Sequence, residues 1–392
     1  MQKPTERPTL TARVRSALRA NPIVALLGPR QCGKTTLARM VAAGKEVEYF
    51  DLEDPIGRAR LAEPMTALSP LRGLVIVDEV QREPKLYPIL RVLADRPRTP
   101  ARFLILGSAS PDLVRHSSES MAGRVAFVDM AGFSLREVGE AAQRRLWLRG
   151  GFPRSFLARS ENESFAWRED FIRTFLERDI GQLGIQVPPT ALRRLWMMLA
   201  HYHGQIWNAS EIARSLGAAH TTVKRHLDIL TGAYMTRQLQ PWFENVGKRQ
   251  VRSPKVYIRD TGVLHALLGL RTFAALEGHP KLGASWEGFA LEQAILAAGE
   301  RNAYYWATQG GAELDLLLNI QGRRYGIEIK YSDAPKLGKS MAIAMSDLRL
   351  SRLYVVYPGA KRYTLSKNVE ALPLNALLSE IDTLKKSKRG VR

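Results

Sequence analysis

Five short apolar runs punctuate the N-terminal part of the chain: Ile23 to Leu27, Val47 to Leu52, Leu74 to Val77, Phe103 to Leu106 and Val125 to Met130. Runs this short, rich in Val, Ile and Leu and without polar alternation, predict strands buried on both faces. Between them lie stretches of helical period. One is Thr36 to Ala43, which Gly44 would stop, and another follows Glu83-Pro84 and carries Leu86, Ile89, Leu90 and Leu93. The alternation predicts a parallel sheet covered on both faces, joined by right-handed crossovers.

From about Ser134 to Ala200 the pattern turns helical, aromatic and basic, with Gly150-Gly-Phe-Pro153 as an interruption, and is expected to form a lid or linker. Ser210 to Leu216, Gly217-Ala-Ala and His220 to Leu230 then predict helix, tight turn and helix, with Val223, Leu227 and Leu230 facing inward. Two strand-like runs, Tyr234 to Leu239 and Lys255 to Arg259, flank the basic stretch Lys248-Arg-Gln-Val-Arg252, as a wing would. Beyond Gly283 the order is helix (Trp286 to Ala298) and strands (Tyr304 to Trp306, Glu313 to Ile320, Tyr325 to Tyr331, Leu353 to Tyr357), with a tight turn at Gln321-Gly322-Arg323. The whole predicts an α/β multidomain chain. Its expected parts are a parallel α/β domain over residues 1–135, a helical lid or linker over 136–200, a winged helix-turn-helix over 201–275, a second α/β domain over 276–384 and a basic tail over 385–392.

The first candidate chemistry sits between the first strand and the first helix, where Gly28-Pro29-Arg30-Gln31-Cys32-Gly33-Lys34-Thr35 fits the phosphate-loop pattern at every fixed position. A triphosphate is held by backbone N–H groups and the positive end of the following helix, so glycines stand where backbone must come close. Residues 28 to 36, ending with Thr36, are the expected nucleotide-binding segment. Lys34 is expected on the β- and γ-phosphates and Thr35 on Mg²⁺. The third run ends in Asp78-Glu79, which adds a second Mg²⁺ partner (Asp78) and a residue to orient the attacking water (Glu79). Ser108 ends the fourth run and is a candidate γ-phosphate contact or else a small turn residue. Arg124 is the candidate arginine finger, delivered to a neighbouring subunit. The only cysteine, Cys32, excludes intrachain disulfides, and its thiol is expected to face the nucleotide and be modifiable.

A second candidate lies on the late strands. Period-two alternation puts Glu313 and Asp315 on one face and Glu328 and Lys330 on one face of the next strand. Burying such groups among Leu and Ile demands a counter-ion, and a metal is the expected one, held by Asp315, Glu328 and Glu287 with Lys330 positioning or activating water. Opposed to this is a plain sheet face of cross-strand ion pairs.

Composition then narrows the partners. The chain has 392 residues, with 58 Lys+Arg against 38 Asp+Glu, a formal charge of +20, which predicts a polyanionic partner such as nucleic acid, DNA above all, or else an anionic membrane surface. In the helix-turn-helix, Thr221, Thr222, Lys224 and Arg225, with Lys248, Arg249 and Arg252 of the wing, are the candidate DNA contacts. No run of 18 apolar residues and no signal-peptide core is present, so a cytoplasmic protein without membrane insertion is expected.

These pieces, in this order, resemble a bacterial and archaeal family of AAA-superfamily ATPases with a C-terminal region made of a winged helix and a restriction-endonuclease-like fold. The matching stretches are residues 28–36, Tyr49-Phe-Asp-Leu52, Val77-Asp-Glu-Val-Gln81, Gly107-Ser108, Ala122-Gly-Arg124, Gly150-Gly-Phe-Pro153, Leu176-Glu-Arg-Asp179, Glu313-Leu-Asp315 and Glu328-Ile-Lys330. The resemblance implies ATP rather than GTP, Mg²⁺, and a homo-oligomer such as a ring with an arginine from the neighbour. Two functions follow as expectations. One is an ATPase coupled to DNA binding, remodelling or cutting. The other is an ATP-dependent oligomerising switch that binds a protein partner and carries an inactive nuclease-like domain.

Overall fold

A computed structural model describes residues 5–97, 101–108, 123–183, 185–243 and 250–386. The chain divides into two compact units, each built on its own sheet. The first comprises Met1–Phe133 with the segments Ile180–Ile185 and Gly232–Tyr234, and the second comprises Ser134–Asp179, Gln186–Thr231 and Met235–Arg392. No described helix is long and apolar enough to cross a membrane.

In the first unit the five apolar runs form β1 (Ile23–Leu27), β2 (Val47–Asp51), β3 (Gly73–Asp78), β4 (Ala101–Gly107) and β5 (Val125–Asp129). Their order is β2-β3-β4-β1-β5, and every pairing is parallel. β1 is buried at all five positions, and Phe50, Val75, Val77, Phe103 and Ile105 join Ile23, Ala25 and Leu27 in one apolar cluster. The helix Lys34–Ala42 buries Leu37, Ala38 and Val41, and the helix Leu86–Ala94 buries Leu86, Tyr87, Leu90 and Leu93, the spacing of one helical face. The helix Pro8–Ala20, which the apolar pattern did not announce, opens the unit and buries only Val14 and Leu18.

The second unit begins with helices, including Gln143–Arg149, Glu161–Thr174 and Pro189–His201. Glu161–Thr174 runs into a π-helical turn, Phe175–Asp179, that contains the Leu176-Glu-Arg-Asp179 stretch. Gly150 is required by a close approach: it has φ +75°, and a Cβ there would lie 2.0 Å from the Asp260 carboxylate, which accepts the Gly151 N–H at 2.7 Å. The helices Ala209–Leu216 and His220–Gly232 meet at Gly217 in a left-handed cap. They stand with a small antiparallel sheet of β6 (Gln205–Ile206), β7 (Thr236–Leu239) and β8 (Lys255–Ile258), in the order β6-β8-β7.

The remaining strands, β9 (Ala303–Ala307), β10 (Glu313–Ile320), β11 (Arg323–Ile329), β12 (Arg352–Tyr357), β13 (Tyr363–Ser366) and β14 (Val369–Pro373), form a six-stranded mixed sheet. Its order is β13-β14-β12-β11-β10-β9, antiparallel across β9-β10-β11 and parallel across β11-β12-β14. The turn between β10 and β11 places Gln321 and Gly322 at φ 53° and 77°, the pair of positive values that matches strand twist in a two-residue hairpin. The helix Leu282–Ala298 is apolar nearly all round and buried at Trp286, Phe289, Leu291 and Ile295. The C-terminal helix Leu374–Lys386 corrects the expectation of a basic tail from 385: Lys385 is helical and donates to the Ala297 carbonyl at 2.8 Å, while residues 387–392 lie outside the described ones.

Candidate functional site

The phosphate loop leaves β1 at its carboxyl end and enters the helix Lys34–Ala42. It takes left-handed backbone at Gln31 (φ 62°) and Gly33 (φ 98°). Gly28 is needed for packing, because a Cβ there would sit 2.1 Å from the Met130 carbonyl oxygen. The Lys34 ammonium is buried and donates to the carbonyls of Gly28 and Pro29, both at 2.9 Å, so its charge is held within the loop. The helix cap at Gly33 has no side-chain bond, and the first-turn N–H groups of residues 34 to 36 have no acceptor four residues back within the helix, which makes them donors for an anion. Cys32 corrects the expectation of an accessible thiol. It is fully buried, with Sγ 3.9 Å from the Met130 oxygen, and burial pushes its pKa up.

Asp78 ends β3 and is 4% exposed. Its Oδ2 accepts the Thr35 hydroxyl at 2.7 Å and the Tyr49 hydroxyl at 2.6 Å, and its Oδ1 accepts the Glu79 N–H at 3.0 Å. The expected Mg²⁺ pair, Thr35 and Asp78, is therefore brought together from the start of the helix Lys34–Ala42 and the end of β3, and its all-oxygen donors fit a hard cation. Tyr49 on β2 is the partner that reading the sequence missed as a functional group. Burial first, then Asp78, raises its pKa, so it remains a hydroxyl donor.

Glu79 stands in the left-handed region at φ 55°, ψ 43°, uncommon for a side-chain-bearing residue and a form of backbone strain found at functional sites. Ser108 donates to its Oε2 at 3.4 Å, Gln81 bonds the same oxygen, and the Arg30 guanidinium is 3.9 Å away. Arg30 and Arg82 also pair with Glu53 at 3.3 and 2.6 Å. Thus Glu79 and Ser108 meet at the ends of neighbouring strands on the loop side of the sheet, and Thr36 is exposed in the first helical turn. Arg124 is placed elsewhere. It precedes β5, whose first residue pairs with the first residue of β1, so it lies at the edge opposite the loop, where it bonds Asp95.

In the second unit, Glu287, Glu313, Asp315 and Glu328 do converge, but the cation among them is one the local pattern did not reveal. Lys255, the first residue of β8 and 3% exposed, places Nζ 3.3 Å from Glu287, 3.5 Å from Asp315 and in contact with Glu313. Tyr257, two residues on, donates to Glu287 at 2.6 Å. Lys330 lies just past β11 and pairs with Glu328 Oε1 at 2.7 Å, while Glu328 Oε2 is buried without a hydrogen-bond partner. Burial and then Asp315 push Glu287 and Glu328 up to about 7. Burial lowers Lys255, yet the facing Tyr257, Glu287, Asp315 and Glu313 hold it well above its usual value.

These residues do not fit the expected metal ion. Among the described residues no group of three or more His, Cys, Asp or Glu is spaced to hold one, and an ammonium stands in the midst of the carboxylates. The positive charge that the structure places among these carboxylates is the Lys255 ammonium. A Lys in an otherwise apolar strand, followed at period two by Tyr, was the signal that could have found it.

Thr221, Thr222, Lys224 and Arg225 are exposed along one side of the helix His220–Gly232, whose Val223, Leu227 and Leu230 are buried. Arg252 is exposed beside Val251, which donates to Ala307, while Lys248 and Arg249 lie outside the described residues.

A family described as AAA domain matches residues 20–139, and two described as domains of unknown function, DUF8612 and DUF4143, match residues 140–274 and 282–377. The uncharacterized proteins Rv2008c of Mycobacterium tuberculosis and Mb2031c of Mycobacterium bovis are each 56% identical over 374 residues, 95% of this chain and 85% of theirs. Among solved structures, the chain is similar to the Walker-type ATPase PABY2304 of Pyrococcus abyssi, at 15% identity and a TM-score of 0.49, over 68% of this chain and 96% of that one. On the AAA match, the parallel sheet and the relatives that share nearly its full length, the chain belongs to the AAA-superfamily P-loop ATPases that carry further domains of unknown function.

Proposed function

We propose that this protein binds and hydrolyses ATP with Mg²⁺ and couples turnover to binding and remodelling DNA. The observation that carries the hydrolysis is the joining of Thr35 to Asp78 at 2.7 Å beside a phosphate loop, with Glu79 and Ser108 on the next strand ends. Lys34 trades its two carbonyl partners for phosphate oxygens. Thr35 and Asp78 would hold Mg²⁺, which would supply positive charge to the phosphates. Glu79, steadied by Gln81 and Ser108, orients the attacking water. Arg124 cannot serve this chain's own loop from the opposite sheet edge, so we assign it to a neighbouring subunit's nucleotide in a homo-oligomer.

Residues 1–135 form the ATPase domain in this reading, with a helical linker to residue 200, a winged helix to 275 and a restriction-endonuclease-like domain to 384. The exposed Thr221, Thr222, Lys224, Arg225 and Arg252, and the +20 charge, support DNA as the polyanion. No cleavage step is proposed, because a lysine stands among the carboxylates.

The test is ATP hydrolysis measured with and without duplex, forked and single-stranded DNA over a range of salt. Stimulation that falls with salt and is lost in a Lys224→Ala, Arg225→Ala chain supports the reading. Turnover indifferent to every DNA, with no salt-sensitive binding, sinks it. The Lys255-filled cluster favours a second reading, an oligomerising switch that binds a protein partner; its mark is slow, DNA-indifferent turnover with a nucleotide-dependent mass change by light scattering.

A further inference from the structure

The carboxylate cluster poses a specific physical problem. Four acidic side chains, Glu287 from the helix Leu282–Ala298, Glu313 and Asp315 from β10 and Glu328 from β11, share one region, and Asp315 and Glu328 are nearly inaccessible to water. Carboxylates in such a place need positive charge close by. Lys330 supplies one charge at the rim, being 46% exposed and bonded to Glu328 alone among these acids. Glu287, Asp315 and the more exposed Glu313 all turn to a single Nζ, that of Lys255.

Lys255 reaches them from a different sheet. It is carried by β8 of the three-stranded sheet, and its neighbour at period two, Tyr257, fixes Glu287 in place. Asp315 is pinned as well, its Oδ2 accepting the Ile329 N–H at 2.9 Å, which leaves Oδ1 facing the ammonium. A divalent ion held by Asp315 Oδ1 and Glu287 Oε1 at the usual ~2.0–2.6 Å would take the same two oxygens that Nζ now faces. Ammonium and metal thus compete for one place.

We infer that Lys255 is the resident cation of this cluster, an ammonium built into the fold where a restriction-endonuclease-like site would hold a divalent metal. The site is therefore closed to metal for as long as Lys255 remains, and the domain does not cut. The inference rests on the restriction-endonuclease-like reading of the C-terminal sheet, and is independent of whether DNA stimulates the ATPase.

The experiment titrates the full-length, nucleotide-free chain with Mn²⁺, following free Mn²⁺ by electron paramagnetic resonance. Wild type, Asp315→Asn, Lys255→Met and the Lys255→Met/Asp315→Asn double variant are compared. Wild type should show no Mn²⁺ site that Asp315→Asn removes. Lys255→Met should gain one that is abolished in the double variant. A wild-type site removed by Asp315→Asn, or a folded Lys255→Met chain that takes up no Mn²⁺, overturns the inference; the first result favours a metal nuclease, and the second removes the metal reading altogether. Should Lys255→Met not fold, acetylation of wild-type lysines read by mass spectrometry decides. Lys255 should be equally protected with and without millimolar Mn²⁺, and its exposure by Mn²⁺ would show that metal displaces it.

Discussion

Replacing Tyr49 by Phe removes one oxygen from the nucleotide site and leaves the ring that packs there. Asp78 Oδ2 then keeps the Thr35 hydroxyl at 2.7 Å, and Oδ1 keeps the Glu79 N–H at 3.0 Å, so the carboxylate is weakened but not orphaned. A hydrogen bond to an ionised group contributes about 1.5–3 kcal/mol. With two donors remaining, the loss should fall in the lower part of that range, about 1.5–2 kcal/mol, or roughly 13–30-fold in an equilibrium or a rate. It should appear where Asp78 acts, as a higher Mg²⁺ requirement. In a titration of steady-state ATP hydrolysis against Mg²⁺, the half-saturating concentration should rise by that factor. Nucleotide affinity without Mg²⁺ should stay within twofold, because Lys34 and the loop N–H groups are untouched. Since burial and Asp78 raise the Tyr49 pKa, the difference between wild type and variant should also be constant from pH 6 to 9. A Mg²⁺ requirement within twofold of wild type, or an equal loss of metal-free affinity, would refute the assignment of Tyr49 to the metal side of the site.

Three further outcomes follow from close contacts and buried charge. Gly28→Ala drives a Cβ to 2.1 Å from the Met130 oxygen, a backbone atom that cannot turn aside; ATP binding by calorimetry should weaken by more than about tenfold, with about 1–3 kcal/mol of stability lost. Glu292→Ala strips the buried carboxylate that Arg237 grips at 2.7 and 2.9 Å and Arg259 at 2.9 Å, which should cost about 3–5 kcal/mol in urea unfolding of the second unit. His265 is buried between the Leu148 carbonyl and Ser285 hydroxyl; burial first, then Arg168 and His279, lower it to about 3, against the partial support of the Leu148 oxygen. A depressed histidine stabilises fully above pH 6.5 and loses that contribution as pH falls towards 3. His265→Gln should therefore flatten the acid limb in this window by about 1.4 kcal/mol per pH unit, read from denaturant midpoints at stepped pH.

The nucleotide half was legible because its signals are local. β1, the loop and the start of its helix are contiguous, and Val, Ile and Leu runs mark strands that are buried on both faces whatever their order. Tyr49 escaped notice for the opposite reason. It gains its role only because β2 lies beside β3, and that pairing is decided by crossovers rather than by any feature of Val47–Asp51 itself. The helix Pro8–Ala20 escaped because it buries only two side chains, Val14 and Leu18, too few to stamp a period on a basic stretch.

The carboxylate cluster marks the limit of strand periodicity as a guide to chemistry. Alternation states correctly which side chains share a face of β10 or β11, and burial states that a positive charge must answer them. Neither says where that charge comes from. Here it comes from β8, some sixty positions before Asp315, and the difference between Mg²⁺ and an ammonium is the difference between a centre that can polarise a phosphodiester and one that can only neutralise its own acids. An acidic residue followed by Glu-x-Lys on the next strand therefore identifies a fold more securely than a reaction, until every basic side chain able to reach the cluster from another sheet has been placed.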